Sequence, residues 1–135
     1  NFIDGIVISA SFMVSLKLGL VTTLAIILHE IPQELGDFAV LIYGGFTKKK
    51  ALLFNFASAL MAMIGAVVGY FITDLTKNFS NFILPLTAGG FIYIAMSDLI
   101  PEVHKESNQK RATLAFIAFL LGIAFMALAK NFLPE

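Results

Sequence analysis

The sequence predicts an all-α fold, a polytopic transmembrane helical bundle, on three observations. Apolar residues fill 59% of its 135 positions and charged residues only 13%, against roughly 45–50% and roughly 25% in an average soluble domain. Mean hydropathy is +0.89. The apolar residues also fall into five runs, at about 1–16, 18–45, 51–72, 82–104 and 112–133. Most of these runs approach the roughly 20 residues that a helix needs to cross a bilayer. No linker or low-complexity stretch divides them, so 1–135 reads as a single transmembrane domain. Nine basic and nine acidic residues cancel, which gives no footprint for a nucleic acid or other polyanion. The chain has no cysteine, so disulfides and thiolate metal sites are excluded.

The first run, Phe2 to Leu16, is short for a span, starts without Met and carries Asp4 near its beginning. We therefore expect a chain cut inside a helix, with further helices of the same protein upstream. A turn near Lys17 leads into the second run, and this one organises the sequence. It carries His29-Glu30-Ile31-Pro32-Gln33-Glu34-Leu35-Gly36-Asp37 in an otherwise apolar segment. Ionisable groups at that depth are costly unless they face a bundle interior, pair with one another or bind something. On a helix His29 and Gln33 share a face at i, i+4, and Glu30, Glu34 and Asp37 share the neighbouring one. Carboxylates stacked so closely repel unless protons or a cation lie between them. Pro32 has no N–H for the carbonyl of Leu28, which predicts a bend.

A basic loop, Thr47-Lys48-Lys49-Lys50, precedes the third run, where Ser58, Ala62, Gly65 and Gly69 form a small-residue stripe. Such stripes let helix backbones approach closely. A polar loop at 73–81 leads to the fourth run, with Pro85 near its first turn, Gly89-Gly90, and a polar end of Asp98, Pro101, Glu102 and His104. A charged loop follows at 105–111, and the last run is almost wholly apolar.

Alternating spans put Lys48, Lys49, Lys50, Lys105, Lys110 and Arg111 on one side and Lys17, Lys77 and Lys130 on the other. The positive-inside rule makes loops 47–50 and 105–111 cytoplasmic. The expected location is a multi-pass position in a cell or inner membrane.

The polar residues of the spans are Asn1, Asp4, His29, Glu30, Gln33, Glu34, Asp37, Asp98, Glu102 and His104. Asn1 and Asp4 share a face at i, i+3, and a short turn brings that face to the second helix. One imidazole among hard oxygens, with no thiolate, suits Zn²⁺, with Fe²⁺, Mn²⁺ or Cd²⁺ as alternatives. All-oxygen Ca²⁺ or Mg²⁺ cages rank lower. These ten groups are the candidates for such a site. Three other readings compete. One is polar groups that only bridge helices, in a non-transporting assembly or sensor. Another is interfacial solvation of Glu102 and His104 at a helix end. The last is an intramembrane metalloprotease, whose His-Glu-x-x-His motif has Gln33 in the place of the second imidazole.

Asn1-Phe2-Ile3-Asp4-Gly5 and His29 through Phe38 resemble the paired signatures of the ZIP (Zrt/Irt-like) metal transporters: His-Asn-x-x-Asp-Gly on the fourth helix and His-Glu-x-Pro-His-Glu-x-Gly-Asp on the fifth. The likeness continues through Asn55-Phe56-Ala57-Ser58-Ala59-Leu60, Ala88-Gly89-Gly90-Phe91-Ile92-Tyr93 and Asp98-Leu99-Ile100-Pro101-Glu102. It implies the last five of eight helices, with metal held between the first two seen here by Asn1, Asp4, His29, Glu30 and Gln33. Glu34 lies in the same signature, so the metal set this implies is Asn1, Asp4, His29, Glu30, Gln33 and Glu34, with Asp37, Asp98, Glu102 and His104 as an exit relay in the transporter reading. It also implies zinc as a transported substrate moving into the cytoplasm, and no enzyme; homodimerisation is left open. The chain departs from the pattern in three places. The histidine before Asn1 lies outside it, Gln33 replaces a histidine, and Ala62 stands near a glutamate of some bacterial members. A second metal site is therefore expected to be reduced.

Overall fold

The computed structural model describes residues 1–132 except 77 and 106, together with their side chains apart from those of Asp98, Leu99, Glu102, Lys130, Asn131 and Phe132. Lys77, which enters the count for sidedness, and the Leu133 end of the last run lie outside the described residues, as does the Lys130 side chain. The fold is an all-α membrane bundle. Its helices are α1 (Phe2–Val14), α2 (Leu16–Tyr43), α3 (Lys48–Leu75), α4 (Phe79–Ile94), α5 (Ile100–Lys105) and α6 (Gln109–Phe132), with a π turn at Ala95–Leu99 between α4 and α5. Among the described residues three helices are long and apolar enough to cross a membrane: Lys48–Leu75, Phe79–Ser97 and Gln109–Ala129. The 28 residues of α2 cover about 42 Å at ~1.5 Å each, which also exceeds the ~30 Å hydrocarbon core.

The reversal between α1 and α2 falls at Ser15, not at Lys17. Ser15 is extended (φ −162°, ψ 155°). Its N–H donates to the Ser11 carbonyl at 3.1 Å, and its Oγ accepts from the Leu18 N–H at 3.1 Å. One residue thus closes one helix and caps the next, as serine does well, while Lys17 is already helical. At the other end α2 stops on a glycine. Gly45 has φ 88°, a value that favours a residue without Cβ. Its N–H reaches the Ile42 carbonyl (3.0 Å) and that of Phe46 the Leu41 carbonyl (3.1 Å), the paired bonds of a Schellman closure. The Phe46 ring then meets Phe54 of α3 edge-on at 5.6 Å.

Several breaks sit elsewhere than the composition suggests. Lys48, Lys49 and Lys50 form the first turn of α3 behind the Thr47 cap, not a loop. The third helix runs on through Asp74 to Leu75, and the fourth starts at Phe79. Pro85 lies inside α4 rather than in its first turn, while α2 stays helical through Pro32. The fourth run is interrupted by the π turn, in which the Ile100 N–H bonds to the Ala95 carbonyl. The widening comes just before Pro101, which has no N–H to offer.

Short α1 is the hub, packing against α2, α3 and α4, most extensively against α3. Its Gly5, Val7, Ala10 and Ser11 are buried, while large side chains such as Leu35, Val40, Met63 and Leu114 face outward. Between helices in lipid the hydrophobic effect is lost, so close backbone approach takes over. A Cβ on Gly5 would run into the carbonyl of Ala62 and the amide of Ala66, and one on Gly65 into the carbonyl of Phe2. The stripe read from the sequence is therefore, from Ala62 onward, the face that receives α1, whereas Ser58 is exposed.

Gly65→Leu is expected to lower the melting temperature of the detergent-purified full-length protein, at an overpacking cost of about 1–3 kcal/mol. Gly122→Leu, at a position with nothing within 4 Å, should change stability by less than about 0.5 kcal/mol. Equal melting temperatures for the two variants would refute the α1–α3 contact.

Candidate metal centre

The reversal at Ser15 lays the start of α1 against the middle of α2. Along α2 the residues Ile26, Glu30, Glu34 and Phe38 are less exposed than their neighbours, an i, i+4 stripe facing the bundle. Two carboxylates of the central motif lie on it. Asp4 of α1 joins them, and ligand atoms of Asp4, His29 and Glu30 all lie within 4.8 Å of one another. His29 Nε2 is 3.4 Å from Glu30 Oε1 and 3.9 Å from Asp4 Oδ1. Around a tetrahedral Zn²⁺ with bonds of about 2.0–2.2 Å, donor atoms stand about 3.3–3.6 Å apart. The widest separation needs to contract by about 1.2–1.5 Å at most to reach that spacing.

The imidazole is fixed from behind. Its Nδ1 lies 3.4 Å from the carbonyl oxygen of Ala25, one turn back, a long contact that suits an Nδ1–H donor and leaves the Nε2 lone pair facing the carboxylates. Phe91 of α4 packs on the ring, with centroids 4.6 Å apart and planes tilted by 56°. Glu30 Oε1 is buried, and no hydrogen-bond donor meets it among the described residues. A buried carboxylate oxygen without a donor is rare and needs a physical cause. A cation bound beside it is a direct one, and the donor set of one imidazole and two carboxylates fits a borderline divalent ion.

Glu34, one turn further on, is held in a different way. Its Oε1 accepts from Asn1 Nδ2 at 2.8 Å, and its backbone carbonyl accepts from Asn55 Nδ2 of α3 at 2.7 Å. Asn1, Asp4, Glu30, Glu34 and Asn55 all line one cavity of about 850 Å³, whose remaining wall is apolar. Ala62 lies in that wall and contributes no ligand.

The other sequence-derived candidates are not gathered here. Gln33 and Asp37 are exposed and do not line the cavity. His104 is exposed, with Nδ1 2.9 Å from the carbonyl of Ile100 in its own helix. The side chains of Asp98 and Glu102 lie outside the described residues. Two contributors were not singled out from the sequence, Asn55 and Phe91. Neither type is a strong metal ligand, and only the packing of α3 and α4 brings them to the site.

In the metal-free state Asp4, Glu30 and Glu34 crowd one cavity with like charge. Removing one charge there should stabilise the empty protein. Metal-free Glu30→Gln is expected to melt a few degrees above the parent and to lose most of the upward shift that Zn²⁺ gives the parent, read by differential scanning fluorimetry. A metal-free variant that melts lower would show that the Glu30 charge already has a partner.

Residues 1–130 match the family described as ZIP zinc transporter. Zinc transporter zipt-7.2 of Caenorhabditis elegans is 42% identical over 132 residues, covering 95% of this chain and 29% of that protein. Zinc transporter ZIP13 of Danio rerio is 40% identical over 130 residues, covering 95% and 37%. Human zinc transporter ZIP6 is 41% identical over 139 residues, covering 98% and 18%. The chain thus spans less than half the length of these relatives. No solved structure matches it.

Proposed function

The chain belongs to the ZIP zinc transporter family, and from that premise we propose that it forms the metal-conducting part of a transporter that carries Zn²⁺ across a bilayer into the cytoplasm. The family is one of transporters, not enzymes. One observation carries the reading: Asp4, His29 and Glu30 converge midway along a helix longer than the bilayer core, with one buried Glu30 oxygen that no donor meets.

Zn²⁺ leaves its hydration shell on entering such a site. Asp4 and Glu30 replace it with two negative charges and His29 with a neutral nitrogen, so the ion is neutralised in a medium that would otherwise reject it. Transport needs release as well as capture. Glu34 offers the next carboxylate along the same cavity, a turn nearer the lysine-bearing end of α2–α3. Its hydrogen bond from Asn1 leaves it a weaker ligand, which suits a passing position. Asp37 then stands between Glu34 and that end, and Asp98, Glu102 and His104 lie in the segment that leads into the other basic loop on the same side. Six of the basic residues, Lys48–Lys50, Lys105, Lys110 and Arg111, support the cytoplasmic sidedness.

Gln33 lies one turn from His29 on the exposed face of α2. Its place in the signature, one turn after His29, keeps it a candidate ligand. A neutral amide there instead of an imidazole weakens zinc retention and leaves room for Fe²⁺, Mn²⁺ or Cd²⁺ to compete.

Proteoliposomes holding the full-length protein should show saturable ⁶⁵Zn²⁺ uptake. Asp4→Ala, His29→Ala and Glu30→Ala should each reduce it at least about tenfold, the scale on which loss of a ligand's support already weakens metal sites. Uptake unaffected by all three substitutions would move the pathway elsewhere in the molecule.

A further inference from the structure

We infer that Asn55 of α3 is a positioning residue for the zinc pathway: it holds Glu34 at the cavity by binding its backbone, without itself ligating the ion. This deepens the reading just proposed and rests on it. Asn55 is half-buried and lines the same cavity as Asp4, Glu30 and Glu34. Its Nδ2 donates to the Glu34 carbonyl at 2.7 Å, the shorter of the two interhelical bonds that meet at this residue. The other, from Asn1 Nδ2 at 2.8 Å, holds the carboxylate. Glu34 is thus gripped by its backbone from α3 and by its side chain from α1.

The position of the grip matters. Glu34 comes two residues after Pro32, where the helix lacks a donor for the Leu28 carbonyl and is locally more compliant. The contact between α2 and α3 is small beside those that α1 makes with either. Few restraints other than the Asn55 bond fix the half of α2 beyond the proline against α3. A carbonyl oxygen has two lone pairs, so the Asn55 amide adds to the helical bond from Phe38 without replacing it. The geometry lets Asn55 set how far the Glu34 carboxylate stands from Glu30 one turn back. It therefore sets how readily an ion passes from the Asp4–His29–Glu30 cluster to the next carboxylate.

The test uses the full-length protein in proteoliposomes with Zn²⁺ as the ion, and Glu30→Ala as the control for the pathway. Asn55→Leu keeps the side-chain size and removes the donor, and Asn55→Gln keeps an amide. Asn55→Leu is expected to raise the KM for Zn²⁺ at least threefold with Vmax within twofold, and Asn55→Gln to recover at least half of that change. In a Glu34→Gln background, Asn55→Leu should shift KM no further, because the group it positions is already disabled. An unchanged KM, or an equal shift in both backgrounds, overturns the inference, the second result being what a purely structural role predicts. Spin labels at Val40 and Leu53, both exposed, read the tether without transport. Their distance distribution should broaden in Asn55→Leu, and an unchanged distribution overturns the tether even if the variant transports poorly. Absence of uptake by the parent protein would sink the transport reading alone, and the spin-label result would still decide whether Asn55 holds α2.

Discussion

The gathering of three carboxylates with no lysine or arginine among them, inside an apolar bundle, is the constraint on which the rest of this structure depends. Asp4, Glu30 and Glu34 share one cavity, and no lysine or arginine is among its lining residues. A resident ammonium or guanidinium would satisfy the carboxylates permanently and leave nothing for a mobile ion. In the proposed transport, the carboxylates balance their charge with the cation that enters. The lysines are placed at helix ends instead, as in the first turn of α3. In the first turn of α3 they stand in adverse alignment with the helix dipole.

Holding such a cavity together demands contacts that are insensitive to charge. The small-residue face between α1 and α3 provides them, because Gly5 against Ala62 and Gly65 against Phe2 bring backbones to a distance that no side chain would allow. The hub is the shortest of the long elements, and it is gripped on three sides. Asp4 therefore sits on the best-braced helix, while its partners His29 and Glu30 sit on a helix with a proline one turn onward. One half of the site is rigid and the other is free to adjust, an arrangement that suits binding followed by release.

The sequence made much of this legible, and the reasons are specific. Five apolar runs identify a membrane bundle because hydrocarbon tolerates few alternatives to helices. The clustering of Asp4, His29 and Glu30 could be read because polar residues inside an apolar run are too costly to keep unless they meet one another or an ion. Glu34 and Asp37 were placed on one face by helical periodicity, yet only Glu34 lies on the inward stripe, because the stripe repeats strictly at four residues here. The turn expected near Lys17 falls two residues earlier, because capping chemistry selects Ser15. Asn55 was read only as part of a family likeness, because its value lies in a hydrogen bond to a backbone atom of another helix, and a one-dimensional pattern carries no information about that register.

The π turn at Ala95–Leu99 has a consequence for reading the chain as a pattern. Each helical residue advances the azimuth by about 100°, so one additional residue taken up within a single wide turn sets everything after it back by about that amount relative to an uninterrupted helix. A helical wheel drawn across residues 79–105 therefore assigns the residues after the wide turn to the wrong side. Deleting one residue within 95–99 would close the turn into an ordinary α-helical one and leave Pro101 and His104 near their present azimuth. At this one place spacing along the chain and facing in space are uncoupled.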